Sequence, residues 1–277
     1  LCSEGFSVET AYPTILIPDG ELGKEITTLE NLYQNFSDLK ISRDALIVAI
    51  GGGALTDVAG FAAATWQRGI DWLAIPTTLA GMVDAAIGGK TGINFKSGKN
   101  LIGSFHSPIA VLADLSWLLT LAPRDLSAGL AEVIKTGFIK DAKILELVEL
   151  IQAHKDSIEA QQEIWIDLIS RSISVKAQVV SSDFKDNFER EILNYGHTLG
   201  HAIEKHSDYQ LRHGEAVAIG LCFAAELSKI SNGLTDEVVN KHYQLLKRVN
   251  LPTTYPISAW DELVGKMKGD KKNRAGT

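Results

Sequence analysis

Cysteine is scarce, with only Cys2 and Cys222 in 277 residues. Two thiols build neither a disulfide framework nor a thiolate metal site, so a reducing, cytoplasmic setting is the simplest expectation. Long hydrophobic runs are missing too. The longest, 45–50, 72–75 and 216–225, are too short to span a bilayer. Leu1-Cys2-Ser3-Glu4-Gly5 has neither the basic nor the apolar region of a signal peptide. Nor is there an excess of positive charge. Lys and Arg number 27 against 34 Asp and Glu, giving a net charge of −7 and a pI of about 5.5. That balance disfavours a large nucleic-acid footprint. With 45% hydrophobic residues, the chain can bury a substantial core as two domains or one large α/β domain. A small molecule is the expected partner, with neither nucleic acid nor membrane.

Histidine, by contrast, is concentrated. Four of the seven, His197, His201, His206 and His213, fall in one short window. His197 and His201 are four apart and share a helix face, while His213 opens a second helical stretch. Imidazoles at the facing ends of two helices commonly hold a divalent metal. His197 and His213 are the better ligands, and a carboxylate is needed as the third. Glu132, Glu204 and Glu215 are all available, and spacing does not choose among them. Two His and one Glu leave a coordination position open for substrate. His206 reads as a helix-end residue favoured by the dipole. His106, His154 and His242 are isolated and read as structural or exposed.

The first half alternates apolar strands with glycine-rich turns. Strands are expected at 13–18, 44–50, 71–76 and 109–114, with helices at 27–36 and from about Asp57. The near-continuous apolar run at 44–50 suits a parallel sheet covered on both faces. From Pro123 the pattern is helical, at 125–140, 142–154, 157–183, 190–206, 214–232 and 236–249. The expected fold is α/β, with a Rossmann-like parallel-sheet domain over 1–122 and an all-helical metal-binding domain over 123–277. A cleft between the two is the expected working site.

Gly51-Gly52-Gly53-Ala54-Leu55-Thr56-Asp57 sits between strand and helix, where glycines let backbone amides approach a pyrophosphate at a helix N-terminus. Its spacing is not the usual dinucleotide fingerprint, so a plain tight turn is an equal reading. Gly88-Gly89-Lys90-Thr91-Gly92 and Lys96-Ser97-Gly98-Lys99-Asn100 read as a flexible, lysine-bearing loop suited to phosphate oxygens.

Several longer segments carry a specific resemblance. Asn194-Tyr195-Gly196-His197-Thr198-Leu199-Gly200-His201-Ala202-Ile203-Glu204, His213-Gly214-Glu215 and Gly129-Leu130-Ala131-Glu132-Val133-Ile134-Lys135 closely resemble the 3-dehydroquinate synthase family. So do Pro18-Asp19-Gly20-Glu21 with Lys24, the 51–57 turn, Pro76-Thr77-Thr78-Leu79 and the run from Val83 to Gly92.

The resemblance implies a phosphate-eliminating lyase dependent on NAD⁺ and one divalent metal, Zn²⁺ or Co²⁺. It would convert 3-deoxy-D-arabino-heptulosonate 7-phosphate to 3-dehydroquinate and phosphate in the shikimate route to aromatic amino acids. Oxidation, elimination, re-reduction and an intramolecular aldol would follow one another with no net redox change. The resemblance makes Glu132, His197 and His213 the metal ligands. Asp19, Gly20, Glu21, Lys24, Gly53, Ala54, Leu55, Thr56, Asp57, Thr77, Thr78, Lys90, Lys99, Trp117, Leu118, Leu119 and Thr120 would hold NAD⁺. Asp84, Lys135 and Lys176 would touch the ring hydroxyls, and Arg190 and Asn194 the carboxylate. Lys90, Asn100, His201 and Lys272 or its neighbour Lys271 would hold the phosphate. Arg68 would reach in from the partner subunit of a homodimer.

The chain also departs from the family. Ala85 and Ala86 stand where Ser or Thr is more usual. The family's Asp-Glu-x-Glu run reads Asp183-Phe184-Lys185-Asp186, which shortens one carboxylate and deletes another. The resemblance further implies a strand–helix unit before residue 1 and more helices after residue 277. Rival readings are a sister sugar-phosphate cyclase (2-deoxy-scyllo-inosose or valiolone type), an iron-type polyol dehydrogenase, and a non-enzymatic relative with a structural metal. Arg190, Asn194 and Lys176 together favour a carboxylate-bearing substrate.

Overall fold

The computed structural model describes residues 1–4, 9–96, 98–151 and 156–268. The chain divides into two compact units, Leu1–Thr120 and Leu121–Thr277. The first carries a parallel sheet and the second is helical.

In the first unit, β1 (Cys2–Ser3), β2 (Leu16–Ile17), β3 (Leu46–Gly51), β4 (Asp71–Pro76) and β7 (Ala110–Val111) form one sheet in the order β2-β1-β3-β4-β7. Every pairing in it is parallel. The β1 strand, absent from the sequence reading, lies between β2 and β3; two residues are too few to show periodicity. The outer strands expected at 13–18 and 109–114 shrink to two residues each.

The β3 run is apolar yet not covered on both faces. Ile47 and Ala49 join the core with Leu29, Leu32 and Phe36 of α1 (Ile26–Asp38) and Val58, Ala59 and Ala62 of α2 (Gly53–Thr65). Leu46 and Val48 point the other way and remain 47% and 36% exposed.

The lysine-bearing segment expected to be a flexible loop is instead an antiparallel hairpin of β5 (Lys90–Phe95) and β6 (Gly98–Phe105). Its glycines mislead the reader of the sequence. Gly92 faces Gly103 across the pair, and a Cβ on Gly92 would stand 2.7 Å from the Ile102 carbonyl oxygen. They permit close strand approach rather than mobility.

The second unit comprises α3 (Pro123–Ile139), α4 (Ala142–Leu150), α5 (Asp156–Ala160), α6 (Gln162–Ser182), α7 (His197–His206), α8 (His213–Asn232), α9 (Asp236–Arg248) and α10 (Trp260–Lys268). The helix expected over 157–183 breaks at Gln161, whose backbone is non-helical. The helix expected over 190–206 is two elements, a 3₁₀ turn over Glu189–Asn194 and then α7. Gly196 separates them with φ +78°, a conformation that costs glycine little. A Cβ there would also lie 2.7 Å from the Leu221 amide of α8. The α10 helix was not expected; its Leu263 packs with Leu199, Ile203 and Ile219. No helix among the described residues is long and apolar enough to cross a membrane.

Candidate metal centre and cofactor-binding residues

Three close approaches between helices set the histidines in place. A Cβ on Gly220 would overlap the Gly196 carbonyl, and one on Gly200 would lie 3.3 Å from Val217 Cα, so α7 packs tightly on α8. A Cβ on Gly214 would overlap the backbone of Ala128. The N-terminus of α8, which begins at His213, therefore lies against α3.

On α3, Glu132 and Lys135 are one turn apart and both only 2% exposed. Buried charges need partners, and the Lys135 ammonium meets Glu132 Oε2. Neither Glu132 oxygen makes a hydrogen bond. Oε1 instead faces Nε2 of His197 at 3.5 Å and Nε2 of His213 at 3.4 Å.

The other nitrogen of each ring is engaged. His197 Nδ1 lies 3.1 Å from the Tyr195 carbonyl oxygen, and His213 Nδ1 lies 3.1 Å from Glu204 Oε2. A carbonyl only accepts, so we assign the His197 proton to Nδ1, which leaves a lone pair on Nε2. On His213, a proton kept on Nδ1 by Glu204 leaves Nε2, which faces the same carboxylate oxygen, as the nitrogen that binds a cation once its own proton is displaced. Donor atoms of Glu132, His197 and His213 all lie within 4.8 Å of one another. Two donors at zinc bond lengths on a tetrahedron stand about 3.4 Å apart. The separations fit a divalent cation between them.

The electrostatics set the two rings apart. Burial alone would push the Glu132 carboxyl up, but Lys135, His197 and His213 outweigh it and hold its pKa well below the usual carboxylate range. Burial, with Lys135 adding to it, lowers His197 to about 3, so this ring is neutral at pH 7, the form that binds metals. Burial also opposes charge on His213, yet the Glu132 and Glu204 carboxylates beside it more than offset this and raise its pKa to about 10, so without an ion this ring is protonated at pH 7.

Of the three carboxylates that spacing left open, then, Glu132 faces both imidazoles and Glu204 supports one from behind. Glu215 is occupied elsewhere. It accepts from Arg212 N–H at 2.8 Å and from Arg124 Nε and Nη2, both at 2.6 Å. His201 lies beside the pair, its ring 5.4 Å from His197 and 6.1 Å from His213. His201, Glu204 and His213 also bring donor atoms within 4.8 Å.

The remaining described histidines have structural partners. His206 Nδ1 meets the Tyr255 hydroxyl, and His106 Nε2 meets the Ile70 carbonyl. His242 is buried, stacked on Phe138 and bonded to Tyr195. His154 lies outside the described residues.

Among the expected substrate residues of this unit, Lys176 and Arg190 are buried. Asn194 ends the 3₁₀ turn that carries Arg190. Asp183 organises that turn by accepting backbone N–H groups from Asn187 at 2.9 Å, Phe188 at 2.7 Å and Arg190 at 3.3 Å. Those bonds lower its pKa to about 2. Arg190 Nη1 donates to the Phe184 carbonyl. Lys271 and Lys272 lie outside the described residues.

In the first unit, the expected cofactor residues are partly knit together. Lys24, 2% exposed, donates to Asp57 Oδ2 at 2.5 Å and to Asn100 Oδ1. Glu21 accepts from Asn94 at 2.7 Å and pairs with Lys99 at 3.6 Å. Asn100, expected at the phosphate, therefore shares its partner with Asp57. Burial raises the Asp57 pKa against the pull of Lys24.

The 51–57 turn enters α2 at Gly53, ahead of the expected start. The Thr77 amide bonds the Gly51 carbonyl, and the Thr78 hydroxyl accepts from Gly81. Leu55, Thr56 and Leu118 are buried; Leu55 joins the core, and the Thr56 hydroxyl donates to the Gly53 carbonyl at 2.9 Å. Ala54 lies in the first turn of α2 and is half-buried. Asp19 and Gly20 lead into a 3₁₀ turn, and a second such turn holds Trp117, Leu119 and Thr120. Asp84 sits in a short π-helical turn, Gly81–Ala85. Lys90 and Arg68 are exposed, Arg68 with φ +71°.

The sequence reading did not anticipate the Glu204–His213 and Tyr195–His197 supports. The first had a signal: Glu204 follows His197 by seven residues, two turns along one helix face.

Comparison with known proteins completes the picture. The family model for the 3-dehydroquinate synthase N-terminal part matches residues 14–128, and the C-terminal one residues 129–273. The 3-dehydroquinate synthase of Mycobacterium leprae is 50% identical over 262 residues, covering 95% of this chain and 72% of that protein. Among solved structures, a 2-epi-5-epi-valiolone synthase from Streptomyces hygroscopicus with NAD⁺ and Zn²⁺ bound superposes with TM-score 0.85 at 29% identity. It covers 94% of this chain and 73% of that one. A 2-deoxy-scyllo-inosose synthase complexed with carbaglucose-6-phosphate, NAD⁺ and Co²⁺ gives TM-score 0.83 at 33% identity, over 94% of this chain and 72% of that one. By the extent of these matches, the chain belongs to the 3-dehydroquinate synthase family.

Proposed function

We propose that this chain converts 3-deoxy-D-arabino-heptulosonate 7-phosphate to 3-dehydroquinate and phosphate, as a lyase using NAD⁺ and one divalent ion, Zn²⁺ or Co²⁺. The observation that carries the metal part is the buried Glu132 Oε1, free of hydrogen bonds and faced by Nε2 of both His197 and His213. Bound, the ion would acidify a substrate hydroxyl and NAD⁺ would take up and return a hydride.

The chain's own residues do the rest. Glu132, His197 and His213 hold the ion. Lys135 keeps the other Glu132 oxygen engaged and, with Lys176, offers donors to ring hydroxyls. Arg190 presents a planar pair of donors to a carboxylate, on a turn fixed by Asp183. His201, one turn from His197, donates to phosphate. In the first unit, Lys24 and Asp57 form a fixed, charge-balanced base for the NAD⁺ contacts made by the 51–57 turn and Thr77–Thr78. Arg68, exposed on its turn, serves a second copy of the chain in a homodimer.

Identity favours this reading over a sister cyclase: 50% to the Mycobacterium leprae protein against 29% and 33% to the two cyclases. The test is phosphate release from the heptulosonate phosphate by metal-loaded protein, with and without chelator. Release that stops on chelation, with no NADH accumulating, supports the proposal. Release untouched by chelation, or net NADH production, refutes it.

A further inference from the structure

We infer that Glu204 is a positioning residue for the metal centre, holding the Nδ1 proton of His213 so that Nε2 is presented to the ion. The inference rests on the metal reading above and names a residue that reading does not use.

A neutral imidazole carries its proton on one nitrogen, and the partner of that nitrogen decides which one is left to bind a metal. Glu204 Oε2 lies 3.1 Å from His213 Nδ1. Glu204 is 5% exposed, and a carboxylate buried to that extent needs a fixed partner. It sits on α7 two turns beyond His197, so one helix supplies one ligand and the support of another.

The two supports differ in kind. His197 leans on a neutral backbone carbonyl, and its side chain is only 10% exposed. The His213 side chain is 42% exposed, with less packing to fix its ring. It is the ligand that receives the charged support, which both orients the ring and raises its basicity towards a cation.

Glu204 could instead be a ligand itself, since His201, Glu204 and His213 form a second group with metal-binding geometry. An ion bound there through His213 Nδ1 would displace the Glu204–His213 hydrogen bond. At Glu132 Oε1 no hydrogen bond needs breaking. The ion therefore belongs with Glu132, and Glu204 stands behind His213.

Zinc affinity, measured by competition with a chromophoric chelator, tests this on the purified chain, together with the visible spectrum of bound Co²⁺. We expect one ion per chain in the parent. Glu204→Gln, which keeps size but loses charge, should bind roughly tenfold more weakly, and Glu204→Ala up to about 100-fold more weakly. Both should keep one-to-one stoichiometry and helix content, with a changed Co²⁺ spectrum, and Glu204→Asp should recover part of the loss. If Glu204→Ala fails to fold, the isosteric Gln carries the test.

Affinities within about twofold of the parent for both variants, well below an outer-partner effect, would overturn the inference. So would two ions in the parent and one in Glu204→Gln, which would make Glu204 a ligand. Glu132→Ala separates the readings. If it leaves zinc binding intact, the metal centre itself is wrong; if it abolishes binding while the Glu204 variants bind normally, only the inference about Glu204 fails.

Discussion

Lys135 and Glu132 meet as an ion pair one turn apart on α3, both side chains only 2% exposed. The pair leaves Oε1 of the carboxylate facing the two imidazoles, so a single buried anion answers to two cationic demands. Replacing Lys135 by Met leaves that anion uncompensated, which costs about 3–5 kcal/mol for a buried pair broken on one side. We expect the metal-free variant to melt well below the parent, and added Zn²⁺ to raise its melting temperature more than it raises the parent's. Equal zinc shifts in both proteins would show that the ion does not share this carboxylate.

Removing a ligand should act more sharply than removing a support. Glu132→Ala and His213→Ala are expected to lose zinc affinity by more than the roughly 100-fold that marks the upper end for outer partners, and activity with it. Helix content should change little in His213→Ala, because His213 opens its helix from a partly exposed position, whereas Glu132→Ala strands the buried Lys135 ammonium and should also melt at a lower temperature. Equilibrium dialysis and circular dichroism on the same samples check both halves. A variant that keeps its zinc and its activity contradicts the assignment.

Asp183 ties the Arg190 turn to pH. Backbone N–H bonds from Asn187 and Phe188 lower its pKa from 3.8 to about 2. A carboxyl depressed in the folded state contributes stability above its unfolded pKa, and that stability is lost as pH falls through the folded value. Between about pH 4 and 2, the parent should therefore lose melting temperature more steeply than Asp183→Asn, whose side chain does not titrate. At neutral pH the variant should be the less stable, with a raised substrate KM, since Arg190 loses an anchor. Parallel acid limbs in the two proteins would count against this role.

How far the sequence foretold the structure follows from the range of the interactions involved. Strand 71–76 emerged with its expected bounds, because apolar alternation and flanking turns are local signals. The hairpin 90–105 was hidden, because Gly92 and Gly103 look like loop residues until their close cross-strand packing is seen. The helix read over 190–206 ignored Gly196, whose left-handed backbone answers to α8, some 25 residues downstream, a demand that helical periodicity does not carry. The histidines stood out by density alone. Choosing Glu132 over Glu204 and Glu215 needed either family resemblance or the packing of Gly214 on Ala128, since the three carboxylates are indistinguishable by spacing.

The packing of α7 on α8 offers a test that changes no charged group. Gly220 has no room for a side chain, because a Cβ would overlap the Gly196 carbonyl and crowd the Gly200 amide at 3.2 Å. Gly220→Ala must push α8 away from the start of α7, where His197 takes its Nδ1 support from Tyr195. Overpacking of this kind costs about 1–3 kcal/mol. Because the displaced backbone carries one ligand and its support, zinc affinity should fall together with melting temperature. Gly233→Ala at the end of α8 makes the control. It sits in the left-handed region with open space around it, so it should lower stability through backbone strain and leave zinc affinity unchanged. Equal loss of affinity in both variants would mean that global stability sets metal binding, rather than the fit of α7 against α8.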